Sequence, residues 1–333
     1  DLYMNSKHIA LIGGAGFVGT YLSKKLNKDL INHKIFDINT RSLENKITLV
    51  DVENLNSLDQ IKGMDTIINL AAIHRDDTHP ISRYDDVNVQ GAINVCIAAR
   101  KHDIQKIIFT SSVAIYGFAP ANTNESGTPN YFNDYGRTKY LAEQVYKKWQ
   151  AEDSKNRTLI IIRPTVIFGE GNRGNVFNLL EKIASKRFVM FGNGKNKKSM
   201  AYIENVVYFI KHTLSFKPGL HIYNYVDKPD FDMNSLITNV RKILFNKDNV
   251  GLRLPVFLGI SIGYLADIIS KVTKKNLPIS VIRVKKFLST TQFQTSVNEA
   301  GFTPPFSLNE ALIRTIHYEF LEDNSDKPNF KTE

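Results

Sequence analysis

Tyr135 and Lys139 stand four residues apart in a segment, 134–150, whose pattern predicts a helix. Residues at this spacing lie on the same helix face, about 5–6 Å apart at Cβ. A free phenol has a pKa near ~10 and is a poor base at neutral pH, but a neighbouring cation favours the phenolate and lowers that pKa. The pair therefore has the chemistry of a tyrosine general base. Taken alone, a tyrosine and a lysine at this spacing are more often a half-buried tyrosine beside a surface lysine.

A glycine-rich segment follows the first apolar run of the chain. Residues 7–12 are mostly apolar, Gly13-Gly-Ala-Gly16-Phe-Val-Gly19 comes next, and a helical apolar pattern follows. Glycines at a strand-to-helix turn let the backbone approach a pyrophosphate, which then sits at the positive end of the helix. The spacing differs by one position from the common dinucleotide fingerprint, so taken alone it fits a structural turn equally well.

Asp37 ends the next predicted strand, 18 residues after Gly19. A carboxylate at this point accepts hydrogen bonds from the ribose hydroxyls of NAD and repels the additional phosphate of NADP. Arg41 could meet such a phosphate, but with Asp37 in place the sequence favours NAD.

Apolar strands and helical segments continue to alternate along the first half of the chain. Further strand patterns end near Asp51, Ala72 and Ser112, and a helical pattern covers 87–101. This alternation predicts an α/β fold of the Rossmann type, a doubly wound parallel sheet with helices on both faces. Ligands bind such sheets beyond the carboxyl ends of the strands, where these residues and the glycine turn fall.

The length of 333 residues favours two lobes. We expect a NAD-binding lobe over 4–170, to which 202–226 returns as a helix and a strand. A smaller, mainly carboxyl-terminal α/β substrate lobe is expected over 171–322. Residues 323–333 are polar without an apolar period, which predicts a flexible tail.

The net charge and the cysteine content indicate which class of partner and which cellular compartment to expect. A formal charge of +10 indicates an anionic partner. Without a helix-turn-helix, zinc-finger or ribonucleoprotein motif, we do not expect nucleic acid to be that partner. The single cysteine, Cys96, fits a reducing compartment, and no secretory leader is recognisable. We therefore expect a cytoplasmic protein that binds a phosphorylated molecule or an anionic membrane face, with no metal site.

Five motifs occur in order along the chain: Gly13-x-x-Gly16-x-x-Gly19, Asp37, Phe109-Thr-Ser-Ser112-Val-Ala-Ile-Tyr-Gly117, Tyr135-x-x-x-Lys139 and Arg163-Pro-Thr-Val-Ile-Phe-Gly169. With them the chain, from about residue 7 to 322, resembles the extended short-chain dehydrogenase/reductases, in the branch of NAD-dependent sugar epimerases and dehydratases. The resemblance implies that Ser112 binds the substrate oxygen that is oxidised, Tyr135 removes its proton, and Lys139 holds the nicotinamide ribose. Ser111 is the alternative to Ser112.

The resemblance also implies the ligand contacts. The implied NAD-binding residues are Gly13, Gly16, Phe17, Val18, Gly19, Asp37, Asp51, Val52, Leu70, Ala71, Ala72, Asn88, Tyr135, Lys139 and Pro164. The implied substrate-binding residues are His74, Arg75, Ser111, Asn175, Lys198 and Arg283. Of these, Asn175 and Lys198 fall where the branch binds a diphosphate. Lys285 and Lys286 are alternatives to Arg283 in completing that clamp.

Ser112-Val113-Ala114 replaces the Thr-Asp-Glu triplet that dehydratases of this branch usually carry. Without a carboxylate there, elimination of water is not expected, which leaves epimerisation or reduction. Further segments, 74–77, 172–176, 198–202, 223–229, 283–287 and 291–293, are similar to a bacterial subgroup of O-antigen (lipopolysaccharide) enzymes. This subgroup includes 4-epimerases of undecaprenyl-diphospho-N-acetylglucosamine. The open alternatives are a UDP-N-acetylglucosamine or UDP-glucose 4-epimerase and an NAD(P)H-dependent 4-keto reductase. A non-catalytic redox sensor is disfavoured, because such sensors commonly lack the tyrosine and lysine.

An uncharged run of thirteen residues extends from Leu254 to Ala266. About 20 apolar residues are needed to span a bilayer, so the run is too short to cross. Basic residues follow at 271, 274, 275, 283, 285 and 286, and such clusters attract an anionic leaflet. We expect residues 252–286 to dock on the cytoplasmic membrane face, with a buried helix or a subunit interface as the alternatives. The resemblance further implies a homodimer through helices near 87–101 and 134–150.

Overall fold

A seven-stranded parallel sheet is the centre of the structure, a computed structural model that describes residues 8–42, 45–74 and 78–332. Its strand order is β10-β6-β5-β4-β1-β2-β3. The strands are β1 (Ile9–Ile12), β2 (His33–Asp37), β3 (Ile47–Leu49), β4 (Thr66–Asn69), β5 (Lys106–Thr110), β6 (Thr158–Pro164) and β10 (Gly219–Tyr225). The predicted doubly wound α/β fold is confirmed.

Both faces of this sheet are buried at its centre, where β1, β4, β5 and β6 are rich in aliphatic residues. In β6, Leu159 and Ile161 pack into the core on one face, whereas Ile160 and Ile162 pack into the core on the other. Helices cover each face, as parallel sheets require. Those in the first two thirds of the chain are α1 (Phe17–Lys28), α2 (Ser82–Tyr84), which continues through a π-helical stretch (Asp85–Gln90) into α3 (Gly91–Lys101), α4 (Asp134–Glu152), α5 (Asn175–Ala184) and α6 (Ile203–Thr213).

The segment expected to return to the nucleotide lobe contributes to this sheet and its covering. β10 pairs in parallel with β6 from Gly219 to Tyr225, and α6 packs against α1. The aliphatic and aromatic side chains of α6 are buried against the same core as β1 and α1. The edge of the large sheet is thus formed by a strand that lies more than fifty residues after β6 in sequence.

The remaining elements include two small sheets. One has three strands in the order β11 (Asp227–Asp232), β9 (Lys197–Tyr202) and β7 (Val166–Phe168), and the other pairs β12 (Arg253–Leu254) with β8 (Met190–Phe191). The helices of this part are α7 (Met233–Phe245), α8 (Val256–Thr273), α9 (Val281–Leu288) and α10 (Leu308–Ile316).

Strand β1 lies where the strand order reverses, between β2 and β4. Open α/β sheets form a crevice at this point, beyond the carboxyl ends of the strands. The glycine turn between β1 and α1 lies at this crevice and is closely packed. A Cβ on Gly13, whose φ is +75°, would come within 2.6 Å of the Ala71 nitrogen, and one on Gly19 within 2.5 Å of the Gly14 Cα. The glycine at position 19 therefore allows α1 to pack directly against the turn at Gly14.

Candidate active site

A cleft of about 740 Å³ opens at the carboxyl edge of the large sheet. This volume is within the range of pockets that bind small molecules and cofactors. Its walls are the glycine turn, the segments that follow β2, β4, β5 and β6, the start of α4, and residues from the carboxyl-terminal third of the chain. Tyr135, Lys139 and Ser112, the three predicted catalytic residues, all line it.

The start of α4 sets the position of Tyr135. The side chain of Asn133 caps the helix by accepting a hydrogen bond from the Gly136 nitrogen at 2.8 Å. Gly136 lies against the carbonyl of Ala114, where a Cβ would come within 2.4 Å of the oxygen. The first turn of α4 is thereby pressed against the segment that carries Ser112.

Lys139 lies one turn further along α4, and its ammonium is 5.9 Å from the centroid of the Tyr135 ring. The Nζ atom donates a hydrogen bond to the Thr110 carbonyl at 2.8 Å. The side chain is buried, with 2% of the residue exposed. Burial lowers the pKa of Lys139 to about 7, and the carboxylate of Glu143 acts in the opposite direction. The Lys139 amine is therefore held beside the phenol with little water around it, and its protonated form is the one that favours the phenolate.

The two adjacent serines have different surroundings. Ser111 is buried and donates a hydrogen bond to Glu143 at 2.6 Å, although part of the residue borders the cleft. The Ser112 hydroxyl accepts from the Ala114 nitrogen at 3.0 Å and keeps its own proton for another acceptor. This arrangement favours Ser112 as the hydroxyl that contacts substrate.

Glu143 is the centre of a buried polar network that sequence reasoning missed. Arg163 donates to both of its carboxylate oxygens, at 3.0 and 2.6 Å, and also donates to the Tyr116 hydroxyl at 2.8 Å. The network ties α4, β6 and the Ser111–Tyr116 segment together. A signal was present in the sequence, since Glu143 follows Lys139 by four residues on the same helix face.

The glycine turn has the features of an anion site. In the described part of the chain, no side chain caps the amino end of α1 at Gly16, and a Cβ on Gly16 would make only an ordinary contact, 3.5 Å from the Gly13 carbonyl oxygen. The first amide groups of α1 are therefore available to a pyrophosphate. Asp37 lines the cleft nearby, and its carboxylate accepts hydrogen bonds from the Ala15 and Asn39 nitrogens at 2.9 Å each. These groups fit a dinucleotide.

The structure brings most of the predicted NAD-binding residues to the cleft wall and leaves others behind it. Those on the wall are Gly13, Gly16, Phe17, Val18, Gly19, Asp37, Leu70, Tyr135, Lys139 and Pro164. Those that do not form the wall are Asp51, Val52, Ala71, Ala72 and Asn88.

Asn88 is buried and acts on the loop after β4. Its side chain accepts from the Ile73 nitrogen at 2.9 Å and donates to the Thr138 hydroxyl at 3.0 Å. Its position suits holding that loop against α4 rather than touching a ligand. Asp51 accepts from the Glu53 nitrogen in its own turn. Direct cofactor contact by these two residues stays a prediction.

The predicted substrate residues are more scattered. His74 lines the cleft, and its ring centroid is 6.3 Å from that of Tyr135. Arg75 lies outside the described residues. Asn175 is exposed at the start of α5, outside the cleft wall.

Lys198 and Arg283 bind backbone carbonyls outside the cleft. Lys198 donates to the carbonyls of Lys286, at 2.7 Å, and Ser289, so it caps the carboxyl end of α9; burial lowers its pKa to about 8. Arg283 donates to the Pro278 carbonyl at 2.9 Å, in the loop before α9. The structure therefore does not bring either cation into the cleft, and their diphosphate roles stay predictions.

Among the three basic residues considered for the diphosphate clamp, Lys286 has a contact with the cleft rim. Its ammonium is 5.6 Å from the centroid of the Phe132 ring, and Phe132 lines the cleft. Sequence reasoning also missed further residues of the wall. These are Thr165, Asn172, Ser199, Thr291, Phe293 and the tail residues Asn329, Phe330, Lys331 and Thr332.

The chain is similar to proteins of one known family. Residues 9–225 match the NAD dependent epimerase/dehydratase family. The chain is 47% identical to the N-acetyl-α-D-glucosaminyl-diphospho-ditrans,octacis-undecaprenol 4-epimerase of Escherichia coli O157:H7, over 98% of this chain and 99% of that protein. It is 26% identical to the UDP-glucose 4-epimerase of Vibrio cholerae, over 96% and 97%.

A solved structure shares the fold. The UDP-glucuronic acid 4-epimerase from Bacillus cereus in complex with NAD superposes with a TM-score of 0.70 at 18% identity, covering 93% of this chain and 98% of that one. The residues matched by the family, 9–225, contain the glycine turn, Ser112, Tyr135 and Lys139. The chain therefore belongs to the NAD-dependent epimerase/dehydratase family.

Proposed function

We propose that the protein is an NAD-dependent 4-epimerase that interconverts N-acetylglucosamine and N-acetylgalactosamine on undecaprenyl diphosphate, a step of O-antigen synthesis. The observation that carries the proposal is the meeting of Tyr135, Lys139 and Ser112 beside the glycine turn in one cleft. The near full-length similarity to an undecaprenol-linked 4-epimerase supports the choice of substrate. On this proposal 4–170 with 202–226 bind NAD, and 171–322 hold the sugar diphosphate.

The chain's own groups account for the proton chemistry. Ser112 donates a hydrogen bond to the C4 oxygen, and Tyr135 as phenolate takes the C4 hydroxyl proton. Lys139 stabilises the phenolate because a buried cation nearby favours the charged form. NAD held by the glycine turn and Asp37 would supply a hydride acceptor and donor for C4, and the two transfers together would leave no net redox change. Tyr135 then gives its proton back to the C4 oxygen.

Helix α8 supports a lipid-linked substrate. Gly259, Gly263 and Ala266 form its buried face, while its other face is apolar and exposed, with Leu265 59% and Val272 78% accessible. Within the described residues it is the helix that is long and apolar enough to cross a membrane. Since its glycine face packs on Phe191 and the start of α9, we propose that it lies on the membrane surface instead.

Aromatic side chains continue this apolar surface to the cleft. Phe118 is 69% exposed, and its ring centroid is 4.7 Å from that of Phe132 at the cleft rim. Lys286 of α9 lies over Phe132, and α9 packs against α8. A polyprenyl chain that leaves the site along this rim would reach the exposed face of α8, whereas a soluble nucleotide sugar has no use for such a path.

The proposal is tested by offering the purified enzyme undecaprenyl-diphospho-N-acetylglucosamine and UDP-N-acetylglucosamine side by side. We expect epimerisation of the lipid-linked sugar, at a kcat/KM at least tenfold above that for the UDP sugar, and no net change in NADH absorbance. Turnover of the UDP sugar alone would make the protein a soluble UDP-sugar epimerase. Stoichiometric loss of NADH would make it a reductase.

Membrane docking by α8 predicts a separate result. Leu265→Asp combined with Ile268→Asp should abolish co-flotation with vesicles that contain anionic lipid, because charge is placed on the buried side of the docked helix. The matched control is Leu30→Asp combined with Leu220→Asp, two exposed leucines outside α8. Equal flotation of the two folded double variants would exclude α8 as the docking element.

We further propose a cytoplasmic enzyme, peripheral at the inner face of the inner membrane, that forms a homodimer through α3 and α4. These helices pack side by side on one face of the large sheet, and Ile97 of α3 is partly exposed. Sedimentation should then give about twice the chain mass of 37.8 kDa.

A further inference from the structure

We propose that residues 328–332, here called the strap, form the outer wall of the dinucleotide site and slow the release of NAD. The inference rests on the proposed function in one respect, since a 4-epimerase must keep its cofactor bound through both hydride transfers. The polar composition of 323–333 predicts a flexible tail, whereas the structure folds residues 329–332 of this segment back onto the cleft.

Hydrogen bonds fix the strap to the loop between β7 and α5. The Phe330 nitrogen donates to the Gly171 carbonyl at 2.8 Å, and the Phe330 carbonyl accepts from the Arg173 nitrogen at 2.7 Å. Next to this backbone pair, the buried side chain of Asn172 donates to the Thr332 hydroxyl at 2.9 Å. The strap is therefore an ordered segment that is hydrogen-bonded to the loop 171–173.

A second anchor holds the same loop from the other side. Glu319 accepts from the Gly171 nitrogen at 2.7 Å and pairs with the Arg173 guanidinium at 2.9 Å. The carboxylate is buried, so this pair is shielded from solvent. The loop 171–173 is thus bound by the strap and also by Glu319, which precedes the strap in sequence.

The strap faces the part of the site where a pyrophosphate would bind. The Phe330 ring centroid is 5.8 Å from that of Phe17, the first residue of α1 after the glycine turn. The strap residues Asn329–Thr332 line the same cleft as Gly13 and Gly16. Lys331 is one of these lining residues, and its positive charge favours an anionic ligand nearby.

A wall built in this way controls cofactor release. The strap is held by one aromatic contact with Phe17 beside the glycine turn and by a few hydrogen bonds to the loop 171–173, so it can open locally without unfolding the large sheet. Each opening must break the Phe330 contact before the dinucleotide can leave, and this step limits the dissociation rate. A segment that occupied the dinucleotide position itself would have the opposite effect and speed release.

The test measures NADH dissociation from the full-length protein, followed by fluorescence after a chase with excess NAD. Phe330→Ala should raise the dissociation rate roughly tenfold, the factor that corresponds to about 1.4 kcal/mol of lost contact. Deletion of residues 329–333 should raise it further. Phe330→Leu should restore most of the slow release, and Asp326→Ala, an exposed tail residue outside the cleft, should leave it unchanged.

Thermal unfolding without nucleotide shows whether each variant folds. An unchanged dissociation rate in folded Phe330→Ala and in the deletion would overturn the proposal, and a slower rate would show that the strap competes with the cofactor. Epimerase activity at saturating NAD tests the proposed function separately from the proposed role of the strap. If the unaltered enzyme showed no epimerase activity, the proposed function would be wrong, and the NADH dissociation rates of the variants would still test the strap.

Discussion

Tyr135→Phe is expected to lower kcat for epimerisation by about 10²–10⁴-fold, the contribution typical of a positioned general base. The change removes one oxygen and keeps the ring, so the packing against His74 and the first turn of α4 should persist. Affinity for NADH should change little, because the glycine turn and Asp37 are untouched. The measurement is kcat with the lipid-linked sugar, together with NADH titration of the same preparation.

Tyr131→Phe is the matched control, because Tyr131 is exposed just before α4 and its ring packs near Tyr140 outside the cleft wall. It should retain the kcat of the unaltered enzyme. If Tyr135→Phe also kept full activity with the cofactor bound, Tyr135 would not be the base, and the proposed mechanism would fail.

The fold could be predicted because its determinants are local. Residues 158–162 form an aliphatic run whose neighbours face opposite cores, and such runs between helical segments are typical of parallel strands. The positions at strand ends then follow from the rule that ligands bind at the carboxyl edge. The sequence alone therefore predicts that Asp37 lies at the cleft, where the structure places it.

Other features depend on contacts between residues far apart in sequence. The family resemblance predicts that Lys198 binds a diphosphate, but the carbonyls at the end of α9 lie close enough to bind its ammonium. The sequence of the strap has no apolar pattern. Its position follows from backbone hydrogen bonds between Phe330 and the distant residues Gly171 and Arg173. A pattern of residue types contains no information on such distant pairings.

The choice between Ser111 and Ser112 illustrates the same limit within the site. Both serines follow β5 directly, and by sequence position either hydroxyl could contact the substrate. The difference arises from Glu143, which takes the Ser111 hydroxyl as a donor and is itself held by Arg163. Neither partner is adjacent in sequence, so the local motif could not distinguish the two serines.

Lys139→Met should remove activity to a similar degree as Tyr135→Phe and yet stabilise the nucleotide-free protein. Folding buries the ammonium and lowers its pKa from 10.5 to about 7, so the charged form is disfavoured in the native state. This opposes folding by an upper bound of roughly 5 kcal/mol at pH 7. Losing the hydrogen bond to the Thr110 carbonyl offsets about 1–3 kcal/mol, which leaves a net gain on the order of 2 kcal/mol for a methionine of similar length.

The gain should depend on pH in a defined direction. Between pH ~7 and ~10.5 the unfolded chain keeps the Lys139 proton while the native protein has lost it, so the stability of the unaltered protein rises with pH relative to the variant. The stability gap between Lys139→Met and the unaltered protein should therefore be largest near pH 7 and narrow toward pH 10. Denaturant unfolding at several pH values measures it, with the exposed Lys148→Met on the same helix as the control that shows no such trend. A gap that stays constant with pH, or a variant less stable than the unaltered protein throughout, would mean that burial does not lower the pKa of Lys139 in the native protein.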